Sequence, residues 1–170
     1  MSNKVQFTTN IDENLLRQIK LRAVEESKNV NDILENLMQE YLGQKINIYY
    51  TDIEHRYNLI KLLKDTNKVY AEYEVDNYYL CAYYVLCSNK YIIKKAAKFI
   101  TGDGIRFEDM LNNEDWCSGH KILIKLANEL FNNNANVSIN NMCNVLDNDN
   151  FKVALQAMEL KRLNIYLEDL

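Results

Sequence analysis

The stretch VQFTTNI, residues 5–11, decides how the rest of this chain is read. Its side chains alternate: Gln6, Thr8 and Asn10 fall on one face, Val5, Phe7, Thr9 and Ile11 on the other. A period of two is that of a strand. The remainder of the chain mostly has the period of helices. A lone strand exposes two unpaired edges and is unstable by itself. No second strand stands nearby in the sequence, so this one is expected to pair with its copy in a second chain. The result is a two-fold antiparallel ribbon, with Phe7, Thr9 and Ile11 facing a shared core. The other reading is an edge strand of a larger domain.

Asp12 is a good N-cap, and Leu15, Leu16, Ile19 and Ala23 then recur at helical spacing. The segment ESKNVND ends this helix, and Asn29 or Asn31 can cap a second one, with Asp32 in its first turn. The second helix carries the apolar stripe Ile33, Leu34, Leu37, Met38, Tyr41 and Leu42, and Gly43 is a natural stop. Together, Phe7, Ile11, Leu15, Ile19, Ile33, Leu34, Leu37, Met38 and Tyr41 are expected to form the core of an intertwined dimer.

Residues 4–42, through QFTTNI, ENLLRQIKLRAVEES and NVNDILENLMQEYL, resemble the ribbon-helix-helix DNA-binding proteins. The resemblance implies that Gln6, Thr8 and Asn10 read bases in the major groove. The chemistry suits that role, since amide side chains match adenine and Thr matches a thymine methyl. It also implies that the second helix start, Asn29, Val30 and Asn31, holds a backbone phosphate, with Lys4, Arg17 and Lys28 as neighbours. The sequence departs from the family's habit at three places. Asp12 stands where Pro is frequent, Ser27 stands near the usual Gly, and the strand face has no basic residue.

The charge balance bears on that last point. The chain has net charge -4, and residues 1–45 hold six Lys or Arg against seven Asp or Glu. Bulk attraction to nucleic acid is therefore excluded, and binding has to come from charge placement and subunit pairing. At 48% hydrophobic and 26% charged residues, the 170-residue chain can bury a core and has no stretch near the length of a membrane span. No signal peptide opens the sequence, so a cytoplasmic protein is predicted. Abundant Asn, Ile, Lys and Tyr, with no Pro, suggest an AT-rich bacterial, phage or plasmid source.

The predicted domains are 1–43, a connector at 44–50, and a helical domain over 51–170; the fold class is mainly α. Thr51 to Glu54 matches a capping box, before a helix with Ile53, Tyr57, Ile60 and Leu63 on one side. Residues 73–88 read as a buried helix and 90–101 as another, ended by TGDG, where Gly102 and Gly104 permit positive φ. Further helices are predicted at 105–112, 118–132, 138–146 and 148–162. Residues 49–162, through YYTDIEHRYN, VDNYYLCAYYVLCSNKYI, DWCSGHKILIKLANELFN and NVLDNDNFKVALQAMELKR, resemble an uncharacterised helical family of clostridial and phage-related proteins. That resemblance implies no activity.

No enzyme is expected. Glu54 and His55 are adjacent on a helix and point apart. Asp115, Cys117, Ser118, His120 and Asp147 form no known catalytic pattern, and Cys117 with His120 and Cys143 falls short of a zinc site. Asp115-Trp116 and Ser118-Gly119-His120 are expected to cap the next helix and anchor the tryptophan. No metal or cofactor is expected, and the four cysteines read as buried thiols. Tyr73, Tyr78, Tyr79, Tyr83 and Tyr84 suit a core better than a base-stacking platform. The predicted function is a dimeric, or higher, repressor on double-stranded DNA, with no membrane role. The alternative is an antitoxin or an anti-defence inhibitor, comparable to an anti-CRISPR protein, in which residues 51–170 bind a protein partner.

Overall fold

A computed structural model describes residues 8–42 and 47–170, and within them the protein is mainly helical. The chain divides into two compact units, Met1–Ile46 and Asn47–Leu170.

The first unit contains two helices, α1 (Glu13–Glu25) and α2 (Val30–Leu42). Asp12 caps α1 by accepting from the Leu15 amide at 3.0 Å. Residue Ser27 ends it in the left-handed region, at φ 53°. The Lys28 amide donates to the Ala23 carbonyl at 2.8 Å and the Ser27 amide to Val24 at 3.1 Å. This paired closure satisfies carbonyls that a helix end leaves open, and it favours glycine at the position Ser27 holds. Residues 8–12 lie outside any helix or strand and are exposed. Among the described residues, 8–12 pair with no strand. Residues 4–7 of the expected strand, and the stop at Gly43, lie outside the described residues.

The second unit is built around α4 (Asn77–Cys87), in which every residue from Leu80 to Cys87 is buried. A helix apolar on all sides must be enclosed, and α4 packs against α3 (Ile53–Asp65), α5 (Lys90–Ala96), α7 (Ser118–Asn132) and α9 (Asn148–Leu160). Two shorter helices, α6 (Phe107–Asn112) and α8 (Ile139–Val145), pack on α7. Side-chain caps set the helix starts: Asp52 on the His55 amide, Asp76 on Tyr78 and Tyr79, Asn89 on Tyr91, Ser138 on Asn141, and Asp147 on Asn150.

Several expectations are corrected. The α3 cap is Asp52, not Thr51, whose hydroxyl donates instead to the Ser88 carbonyl at 2.9 Å. The buried face of α3 is His55, Leu59 and Leu63, while Ile53 is 88% and Tyr57 63% exposed. The helix expected over 73–88 begins only at Asn77, because residues 68–76 form a small hairpin-like loop. There Val69 and Val75 bridge antiparallel, and Glu74 bridges Tyr166. The helix expected over 90–101 gives way to a 3-10 turn at Ala97–Phe99 and a hairpin of β1 (Ile100–Thr101) and β2 (Gly104–Ile105). Neither Gly102 nor Gly104 has positive φ; among the described residues that conformation falls on Ser27, Asn67, Tyr73, Asn133 and Asn136. Cys81 and Cys87 are buried as expected, but Cys117 and Cys143 are exposed. Tyr83 and Tyr84 are core, whereas Tyr73 and Tyr78 are exposed. No described helix is long and apolar enough to cross a membrane.

The packing of α7 on α4 yields a contrast. Leu123 is fully buried and Leu155 is 49% exposed. Replacing Leu123 with Ala is expected to cost about 3 kcal/mol, and the same change at Leu155 under about 1 kcal/mol, by chemical denaturation.

Candidate nucleic-acid interface and a buried histidine cluster

In the first unit, the sequence-predicted residues fall into three groups. Thr8 and Asn10 are exposed and lie just before α1; Gln6, Phe7 and Lys4 lie outside the described residues. The dimer-core candidates are poorly covered. Ile11, Leu15, Leu37 and Met38 are exposed, Leu15 to 58%, while Ile19, Ile33 and Leu34 are half-buried. The Tyr41 side chain lies outside the described residues. Ala23 is the one described residue of α1 that is buried. Ile19, Ile33 and Leu37 line an open cleft of about 200 Å³ between the two helices, with Arg22, Glu26 and Lys28 at its polar side.

Of the phosphate candidates, Lys28, Asn29, Val30 and Asn31 lie at the turn between the helices, whereas Arg17 is in the first half of α1. Asn29 accepts from the Asn31 amide at 2.9 Å and so caps α2. Val30 is half-buried, and Arg17 is exposed. The Lys28 ammonium is held by Glu26 at 2.8 Å, and Arg22 reaches the same carboxylate at 3.0 Å. Lys28 first, and then Arg22, hold the Glu26 carboxyl below the usual range. This corner carries Arg22 and Lys28 against Glu25, Glu26 and, in the first turn of α2, Asp32, so it has no net positive charge.

In the second unit, His55 is the buried titratable group of α3 and is 1% exposed. Its Nδ1 accepts from the Thr51 backbone amide at 3.2 Å, which leaves Nε2 to donate to the Tyr84 carbonyl at 2.8 Å. Tyr84 and Tyr50 pack on the imidazole, with centroids at 4.6 and 5.2 Å. Tyr84 donates to the Tyr49 carbonyl, and Tyr50 to the Leu170 carbonyl at 3.2 Å. Burial pushes the His55 pKa down to about 4, against the opposing pull of the Tyr84 carbonyl. Burial also pushes Tyr50 up to about 12. A neutral imidazole with both nitrogens engaged is a structural tie between α3 and α4.

Glu54 is exposed and points away from His55. Cys117 is the N-cap residue of α7 and makes no side-chain cap bond, so neither Asp115 nor the Ser118-Gly119-His120 segment caps that helix as expected. The Asp115 carbonyl instead accepts from Lys95 at 2.7 Å. Trp116 is anchored by donation to the Met110 carbonyl at 2.8 Å. His120 is half-buried beside Trp116, its pKa lowered by burial and then by Lys95. Asp147 caps α9. Among the described residues, no three His, Cys, Asp or Glu side chains are grouped to hold a metal.

No protein-family model, no curated protein and no solved structure matches this chain.

The histidine tie sets a pH dependence. The folded pKa lies below the ordinary value of 6.5, so the folded state binds fewer protons between the two. The stability it confers is complete above about pH 6.5 and is lost as pH falls toward about 4. Between pH 7 and pH 4, the wild type is expected to lose about 3 kcal/mol more than His55→Gln, measured by urea denaturation of both proteins.

Proposed function

We propose that this protein is a sequence-specific DNA-binding regulator, a repressor that acts as a homodimer through its first unit. The observation that carries the reading is the uncovered apolar face of the α1–α2 pair. Leu15, Leu37 and Met38 are exposed on helices whose spacing otherwise suits a core. A two-helix hairpin cannot bury such a face by itself, and a second copy of the same pair covers it by symmetry. Pairing of two copies also supplies the missing neighbour for the alternating stretch at residues 5–11. The resulting ribbon presents Gln6, Thr8 and Asn10 twice along one major groove.

The Ser27 turn supports the same reading. Left-handed Ser27 stands just before the Asn29 start of α2, and a helix start of this kind suits a backbone phosphate. The acidic balance remains a constraint. Lys28 is shared with Glu26, so a phosphate has to compete with that carboxylate or accept from the amides beside it. Affinity is therefore expected to be modest for a single dimer and to rise when dimers bind side by side.

Selection of bound DNA from a random pool, at fixed salt because of counterion release, is expected to enrich a palindromic or tandem motif. Thr8→Ala or Asn10→Ala is expected to relax preference at one position per half-site by about 1–3 kcal/mol. Leu37→Glu is expected to shift the protein to monomer in sedimentation and to abolish operator binding. Unchanged recognition after replacing Gln6, Thr8 and Asn10 together sinks the reading.

A second reading is favoured by a different surface. Ile53 and Tyr57 lie four residues apart on one exposed face of α3, which suits a protein partner for the second unit, as in an antitoxin or an anti-defence inhibitor. A stoichiometric protein recovered with residues 46–170 supports that reading.

A further inference from the structure

Glu74 stands between two tyrosines on a small ribbon of extended segments. The bridge of Val69 to Val75 sets Tyr70 opposite Glu74, and the Tyr70 amide donates to the Glu74 carbonyl at 2.8 Å. On its other side Glu74 bridges Tyr166, where the Val75 amide donates to the Ile165 carbonyl at 3.0 Å. Residues opposite one another across antiparallel segments share a face, and successive residues alternate. Val75 and Ile165 are buried, so theirs is the core face. The other face carries Tyr70, Glu74 and Tyr166 in one row, with the tyrosines 53% and 41% exposed. Tyr73 closes the turn beside this row at φ 63°, a costly conformation for an aromatic residue. It is exposed, so core packing does not account for the strain.

The surroundings of the row are negative. The Tyr70 hydroxyl donates to Asp76 at 2.6 Å. That bond, then burial, and then the charges of Asp76 and Glu74 raise the Tyr70 pKa, and no cation opposes them. Two nearby cations in the sequence turn to other rings: Lys68 lies over Tyr79 at 4.0 Å and Lys161 over Tyr78 at 3.3 Å. Among the described residues, the Glu74 side chain has no hydrogen bond or ion pair. Glu168, two residues after Tyr166, is exposed as well.

We propose that this row docks an arginine-rich segment of a partner protein, with a guanidinium on the Glu74 carboxylate beside the Tyr70 and Tyr166 rings. A planar guanidinium suits both kinds of neighbour, because it stacks on aromatic faces and pairs with a carboxylate through two N–H donors. A compact ammonium makes the ion pair without the stacking. The carboxylates disfavour a phosphate backbone on the same face. Exposed pairs of this kind are individually weak, so several arginines in one segment are needed, with Asp76 and Glu168 flanking the row. The surface lies wholly in the second unit and depends neither on DNA binding nor on the exposed face of α3.

The test titrates the full-length protein with a blocked peptide of arginines spaced by glycines, followed by amide NMR shifts. The same peptide with lysine or citrulline in place of arginine, and N-acetylarginine methylamide, are titrated alongside. The arginine peptide is expected to give saturable shifts centred on residues 69–76 and 165–168, and the citrulline peptide none. The lysine peptide and the single arginine are expected to bind at least about threefold more weakly. Glu74→Gln is expected to weaken the arginine peptide by about fivefold, and Glu54→Gln, the same charge change on α3, by less than about twofold. Both glutamates are exposed, so neither change is expected to unfold the protein. No saturable shift, shifts centred elsewhere, equal binding of any of the three comparison ligands, or equal losses at Glu74 and Glu54 overturns the proposal. So does unchanged affinity in a folded Tyr166→Leu. Should that variant not fold, Glu74→Gln and the ligand comparisons decide.

Discussion

The second unit depends on the enclosure of α4. Eight consecutive buried residues leave that stretch of helix no face for water, so α3, α5, α7 and α9 have positions dictated by the need to cover it. The ends of α4 are tied to the chain around them. Asp76 caps its start, and near its end the Tyr84 carbonyl accepts from His55 on α3. An unpaired carbonyl in that dry interior is costly, so a polar residue in the α3 core face is the physical answer rather than an exception.

The first unit is under the opposite constraint. Its helices are well capped and well closed at Asp12, Ser27 and Asn29, so local structure is specified. Among its described residues, little is buried, and Ala23 is the one buried residue of α1. Local signals of this kind fix helix limits at a few tenths to about 1 kcal/mol each, far less than a core supplies. The two units thus illustrate separate sources of order: burial in one, end-group satisfaction in the other.

The helices of the second unit are largely legible in the sequence, because Asp, Asn and Ser caps stand where the apolar runs begin. The α7 limits at Ser118–Asn132 match the pattern without adjustment. The failures have identifiable causes. Pattern misjudges the face of α3 because His55 counts as polar in any hydropathy scale, although a neutral imidazole with both nitrogens engaged is a core residue. It places the α4 start too early because Tyr73 and Val75 look helical among tyrosines. Glu74 and Val75 are held by backbone bridges to Tyr166 and Val69, which pattern reading cannot see. Gly102 and Gly104 have a freedom they do not use, while Ser27 and Asn67 take left-handed positions at helix ends.

The split of the four thiols between α4 and the surface has a practical reach. Cys81 and Cys87 lie inside α4's enclosed segment, and burial raises both thiols, Cys81 to about 12 and Cys87 further. Cys117 and Cys143 stand in solvent. A thiolate reagent therefore meets two fast sites on the native protein and two that react only when α4 opens. The chain carries its own clock: the slow alkylation phase times the opening of the central helix, and the fast phase supplies an internal reference in the same tube.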